Sequence, residues 1–194
     1  MVSTQGHGDR TALVVIDVQN AVVANAWDRD GVVGRIATLI GRAREEGAPV
    51  IFVQHDEPGS GDMDKGSEGW RFVDALGVRE DDIVVAKQYP DAFVETTLAA
   101  TLADLGAGRL VLAGAQTDAC IRSTFHRALA EGYDVTLVSD CHTTDDRAFQ
   151  GVTITGEQIV THTNLYALFS TYPGQVSGTA THDEVAFASA PASV

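Results

Sequence analysis

The sequence predicts an α/β fold built on a doubly wound, mostly parallel sheet with helices on both faces. Three observations carry this. Apolar runs of strand length recur along the chain, too short for helices and too continuous for one-sided strands. Segments with apolar residues at helical spacing alternate with them. Charged residues or glycine close several runs at their C-terminal ends, the edge where a parallel sheet gathers its ligands.

In chain order, Ala12–Ile16 is the first predicted strand, closed by Asp17. Val32, Val33, Ile36, Leu39, Ile40 and Ala43 then repeat at helical spacing, with Gly47 as the stop. Pro49–Val53 is the second strand. Residues 55–71, rich in Gly, Asp, Ser and Glu, read as a long loop of the kind that covers a site. Asp82–Ala86 is the third strand, closed by Lys87. Leu98, Leu102 and Leu105 mark a helix ending near Gly106, and Arg109–Ala113 is the fourth strand. Ile121, Phe125, Ala128 and Leu129 form the buried stripe of the next helix, which stops at Gly132. Val135–Val138 is the fifth strand. Thr155-Gly-Glu-Gln158 reads as a capping box opening a last helix that runs to about Tyr172. A sixth short strand is expected near Gln175-Val176.

The 194 residues suffice for one domain with a full core, residues 1–194, with 1–10 and about 178–194 expected as loose termini. Hydrophobic content is 44% and charged content 21%, the balance of a globular protein. A formal net charge of -14 argues against nucleic acid, whose phosphates need a basic face. No run is long enough to span a membrane. Met1–Arg10 lacks the apolar centre of a signal peptide, so a cytoplasmic location is the expectation. Two cysteines, Cys120 and Cys141, form no C-x-x-C metal or redox motif, and a reducing compartment keeps them as thiols. The expected partner is a small-molecule substrate, with no cofactor and no metal.

Cys120 carries the sharpest chemical signal. The run Leu110–Ala113 ends in Gly114, a short polar elbow follows, and a helix opens with the cysteine in its first turn. Unpaired N–H groups and the helix dipole favour a thiolate there, and Thr117 or Asp118 is placed to cap the helix. The competing reading is a small buried hydrophobe. Asp17 alone reads equally as a loop or capping residue, and Lys87 alone as a lysine emerging to solvent. At strand ends of one sheet, each supplies the charge the other needs. The three together can run acyl transfer. Cys120 attacks a carbonyl carbon, Asp17 takes the thiol proton and returns it to the leaving amine, and Lys87 keeps Asp17 ionised. Backbone N–H groups around the elbow, including that of Cys120, would hold the oxyanion.

These residues resemble the isochorismatase-like cysteine hydrolase superfamily. The likeness rests on Val14-Val-Ile-Asp-Val-Gln-Asn20, on Lys87 with Pro90-Asp-Ala-Phe93, on Gly114-Ala-Gln-Thr-Asp-Ala-Cys120, and on Val135–Thr144. It runs from about residue 10 to 176. It implies a three-layer α/β/α fold with a six-stranded, Rossmann-like parallel sheet and a catalytic triad of Asp17, Lys87 and Cys120. It further implies a non-proline cis peptide at Ala115–Gln116, with the Gln116 N–H joining that of Cys120 in the oxyanion hole, and a homodimer or homotetramer. Metal-dependent nicotinamidases of this superfamily carry Asp, then His two residues on, then a second His. Here Val53-Gln-His-Asp-Glu57 has His55 and Asp56 in another order, and no further histidine precedes His126. The chain is closer to the streptothricin-hydrolase-like subgroup.

The function expected is therefore a cysteine-dependent amidohydrolase of a small carboxamide or cyclic amide, acting through a thioester. One alternative is an isochorismatase-type vinyl ether hydrolase with Asp17 as general acid. Another is a non-catalytic ligand-binding or thiol-sensing protein. His55 reads as a substrate contact or a structural hydrogen-bonding group. Trp27, Trp70, Tyr89 and Phe93 are candidates for pocket walls, with core packing as the alternative for each. Gln19 and Asn20 orient Asp17 or cap the next helix. Cys141 is expected to be structural, and His142 and Thr143 lie near the site edge.

Overall fold

Apolar strands that must hide both faces have to sit inside a parallel sheet, and this chain puts Ala12–Ile16, Val50–Val53 and Leu110–Ala113 there, whereas the third expected strand, Asp82–Ala86, lies at the sheet edge with Val84 exposed. The structure is a computed structural model and describes residues 8–187. Among these residues the main sheet has six strands, all parallel. They are β1 (Arg10–Ile16), β2 (Val50–His55), β3 (Ile83–Lys87), β4 (Ala107–Ala115), β5 (Asp134–Thr143) and β8 (Ser177–Ala180), in the order β3-β2-β1-β4-β5-β8. Every side chain from Ala12 to Ile16 is fully buried, which fits β1 at the centre.

The two-residue alternation of a strand divides the core. Leu13, Val15, Phe52, Val111 and Ala113 face α1 (Arg29–Glu45). Ala12, Val14, Ile16, Ile51, Val53, Leu110 and Leu112 face the other way. There they meet α2 (Leu98–Asp104), α3 (Arg122–Ala130) and α4 (Gly156–Phe169). This is the three-layer α/β/α arrangement. The residues buried on α1 are the six at helical spacing in the sequence. Thr155 and Gln158 close the capping box at the start of α4.

Several boundaries differ from the sequence expectation. β4 and β5 run further, to Ala115 and Thr143, with a register shift between Leu112 and Gly114. Cys141 and His142 therefore lie in a strand, not in a loop after it. The hairpin of β6 (Arg147–Phe149) and β7 (Val152–Ile154) was not expected. Its side chains are largely exposed, so it carries no burial pattern to read. The last strand is Ser177–Ala180, two residues beyond Gln175-Val176. Its Ser-Gly-Thr-Ala sequence has no apolar run, and backbone pairing to β5 defines it.

The C-terminal segment is likewise not loose from residue 178. Val185 and Phe187 are buried in the core on the α1 side. Arg42 donates to the carbonyls of His182 and Val185, and His182 Nδ1 lies 2.7 Å from Asp140 Oδ2. Residues 1–7 and 188–194, the remainder of the two expected loose ends, lie outside the described residues. Among the described residues, no helix is long and apolar enough to cross a membrane.

Candidate active site

From β1 the chain winds outward through β2 to β3, then crosses back to β4 and winds the other way. The C-terminal ends of β1 and β4 thus flank the switch point, where doubly wound sheets bind ligands. Asp17 follows β1 directly, Cys120 follows β4, and Lys87 is the last residue of β3. Gly114 makes this approach possible. Its φ is +126°, and a Cβ there would lie 2.0 Å from the Ile16 carbonyl oxygen, the residue before Asp17.

The structure brings all three side chains together. Lys87 Nζ lies 2.6 Å from Asp17 Oδ2 and 3.4 Å from Cys120 Sγ. Asp17 and Lys87 are 1% and 2% exposed, so this is an ion pair withdrawn from water. Asp17 has a left-handed φ of +50° and donates its N–H to the Val53 carbonyl. Burial raises the Asp17 carboxyl above its ordinary value, against the opposing pull of Lys87. Its Oδ1 is buried and carries no hydrogen bond in this geometry.

Cys120 departs from expectation in its titration. Residues Thr117–Ile121 form a π-helical turn ahead of α3, and burial followed by the charge of Asp17 pushes the thiol up to about 12. These two effects outweigh Lys87 and the helix terminus. At neutral pH a thiol held this high rests protonated, not as a standing thiolate.

The turn is held from outside its own helix. The Ala115–Gln116 peptide is cis. Gln116 Nε2 donates to Asp145 at 3.1 Å, while Arg147 donates to Gln116 Oε1 at 2.5 Å and to Asp118 at 3.1 Å. Thr144 also donates to Asp118, at 2.6 Å. Thr117 bonds His142 Nδ1 at 2.9 Å. Neither Thr117 nor Asp118 caps the helix, contrary to expectation. Their side chains are taken by β5 and the segment after it. His142 is fully buried behind the turn, so it does not line the site edge.

The remaining candidates separate clearly. His55, at the end of β2, sits 3.0 Å from Lys87 Nζ through its Nδ1. Tyr89 lines a cleft of about 290 Å³ together with Asp56, Ala86, Lys87, Gln88 and Glu95. Trp70 stands one step behind it, its indole N–H donating to Asp56. Phe93 packs against Tyr133 in the core, with ring centroids 5.9 Å apart. Trp27 is fixed by its main chain, which bonds Thr143 and Thr144, and it is not among the cleft residues. Gln19 caps nothing; it bridges the main chains of His55 and Trp70. Asn20 bonds the Glu68 carbonyl. Sequence reasoning missed Gln88, Glu95 and the Arg147 network. Their sole sequence signal was position after a strand.

Comparison with known proteins bears on the family and the fold. The model of a family described as the isochorismatase domain matches residues 11–156. A streptothricin hydrolase of Streptomyces noursei is 36% identical over 140 residues, covering 70% of this chain and 55% of that protein. The chain thus spans about half the length of that relative. A probable inactive nicotinamidase of Arabidopsis thaliana is 34% identical, covering 67% of this chain and 79% of its own. A maleamate amidohydrolase of Pseudomonas putida is 28% identical, covering 70% and 73%. Among solved structures, an isochorismatase from Pseudomonas putida KT2440 superposes with a TM-score of 0.81 at 29% identity, covering 90% of this chain and 89% of the other.

Proposed function

The chain belongs to the isochorismatase family of hydrolases, and from that premise we propose that it is a cysteine-dependent amidohydrolase acting on a small carboxamide or cyclic amide. The observation that carries this reading is the cluster of the buried Asp17 and Lys87 with the half-buried Cys120, with Lys87 Nζ within 3.4 Å of the sulfur and 2.6 Å of the carboxylate.

The proposed steps follow from the titration of the pair. A thiol held at about 12 is a poor nucleophile until its proton leaves, and the unoccupied Oδ1 of Asp17 is the nearby acceptor. Burial raises the proton affinity of Asp17 and suits it to the task, while Lys87 keeps the carboxylate available. The thiolate sulfur then bonds the carbonyl carbon, and the main-chain N–H groups of Gln116 and Cys120 receive the oxyanion. As the C–N bond breaks, Asp17 returns its proton to the departing nitrogen. Water, deprotonated by Asp17, cleaves the thioester and restores the thiol. The substrate enters by the cleft beside Lys87, between Asp56, Tyr89 and Glu95.

The raised Asp17 carboxyl also supports a second reading, an isochorismatase-type ether hydrolase in which Asp17 is a general acid and Cys120 is dispensable. One experiment separates the two. A panel of small carboxamides and lactams is assayed for ammonia or amine release, with Cys120→Ala and Asp17→Asn beside the native protein. The amidase reading predicts turnover by the native protein, with losses of about 10²–10⁴-fold or more in each variant. An acyl adduct on Cys120 should also appear by intact mass. Full activity in Cys120→Ala would overturn the thioester route.

A further inference from the structure

A lysine ammonium has three N–H donors and no acceptor. Around Lys87 Nζ stand three acceptors: Asp17 Oδ2 at 2.6 Å, His55 Nδ1 at 3.0 Å and Cys120 Sγ at 3.4 Å. Two of these belong to the chemistry proposed above. The third does not, since the proton passes between Cys120 and Asp17 without it. We propose that His55 is a positioning residue, whose Nδ1 takes the third N–H and so holds the ammonium where it serves the carboxylate and the sulfur together. The inference rests on the amidase reading for its purpose but not for its geometry.

The fold prepares the contact from both sides. His55 and Lys87 end neighbouring parallel strands and are paired in register. The main chain of His55 is clamped at its N–H and its carbonyl by one side chain, Gln19, which receives 2.8 Å and donates 2.9 Å hydrogen bonds there. Gln19 is itself completely buried and anchored on the Trp70 carbonyl at 2.7 Å. The clamp thus sets the Cα position from which the ring reaches Lys87.

The partner also fixes the tautomer. Because an ammonium only donates, Nδ1 must carry the lone pair and Nε2 the proton. A second proton on the ring would set an N–H against the ammonium 3.0 Å away and break the arrangement. The charges facing the ring are Lys87 from β3, Asp17 from the end of β1, and Asp56 and Glu57 just beyond β2. Burial and Lys87 disfavour protonation, the three carboxylates favour it, and the balance lies below the ordinary histidine value. The contact therefore persists at neutral pH and is lost in acid.

The test compares His55→Asn, whose side-chain carbonyl replaces the acceptor without titrating, with His55→Leu, which removes it. The first readout is the rate of Cys120 alkylation by iodoacetamide from pH 5 to 10, with Cys120→Ala as the labelling control. It requires no turnover, so it stands even if no amide proves to be a substrate. Loss of a hydrogen bond to a charged group predicts alkylation about tenfold slower in His55→Leu across this range. His55→Asn should stay within about threefold of the native rate at neutral pH by the same reasoning. Native-like alkylation in His55→Leu would overturn the proposal. So would a tenfold loss in His55→Asn, which decides the matter by itself if His55→Leu fails to fold. Where an amide substrate is found, the loss in His55→Leu should fall on kcat. A change confined to KM would make His55 a substrate contact and also overturn the proposal.

Discussion

A carboxylate and an ammonium withdrawn from water beside a half-buried thiol depend on one another more than on the rest of the protein. Asp17 is buried at a cost that Lys87 offsets, and neither would be tolerated alone. The environment that raises the Cys120 thiol to about 12 is what makes a neighbouring base necessary. His142 is a second buried group with a pH consequence. Its Nδ1 faces Thr117 and its Nε2 lies 3.0 Å from Asn164 Oδ1, whose amide is oriented by a 2.8 Å bond to the Ser139 carbonyl. Burial lowers the ring from 6.5 to about 4. Unfolding therefore takes up a proton between those values, and the stability contribution, complete above pH 6.5, is lost as pH falls toward 4. The expected loss is about 3 kcal/mol, since each pKa unit is worth about 1.4. Urea unfolding across this range should show it, and His142→Gln should flatten the slope. A native slope already flat from pH 7 to 4 would count against it. The chemical residues were legible because each charge closes an apolar run. The burial of His142 was not, because its partners come from the π-helical turn and from α4, distant in the chain.

At the scale of elements, the site depends on two strand ends that nearly touch. Gly114 sits where β4 passes the end of β1, and a Cβ there meets only backbone atoms of Ile16, which cannot swing aside. Gly114→Ala is expected to lose more than about 4 kcal/mol or fail to fold, the range of a clash with fixed backbone at a left-handed φ. The urea midpoint measures this; a change below about 1 kcal/mol would show that the strands can separate. The strands with apolar runs and the helices with periodic stripes were readable in advance, since both signals arise from burial. β8 and the β6–β7 hairpin were not. Their residues are half-buried or exposed, and their existence rests on backbone pairing to partners that no local pattern names. The π-helical turn escaped for the same reason, being held by Arg147, Thr144 and His142 from other elements.

At the scale of the molecule, sheet order converts four separated segments into one site. The reversal of winding between β3 and β4 puts β1 and β4 side by side, with the ends of β2 and β3 adjoining. The net charge of -14 leaves only 13 basic side chains in the chain, of which Lys87 is buried in the ion pair. We propose that the chain self-associates as a homodimer or homotetramer, as the family resemblance implies. Sedimentation at micromolar concentration should then give two or four times the 20.5 kDa of one chain, and a monomer throughout would end that proposal.

The sequence by itself determined the fold class and the strand ends that bear Asp17, Lys87 and Cys120. These follow from local patterns of burial and from residue chemistry that a linear string records. Only the tertiary structure decided that Lys87 Nζ stands within reach of Asp17, His55 and Cys120 together. It alone showed that burial and Asp17 push the thiol up, that Phe93 belongs to the core, and that Tyr89 borders the cleft. Those properties depend on distance and desolvation among side chains far apart in the chain, and they come into being only when the sheet closes around them.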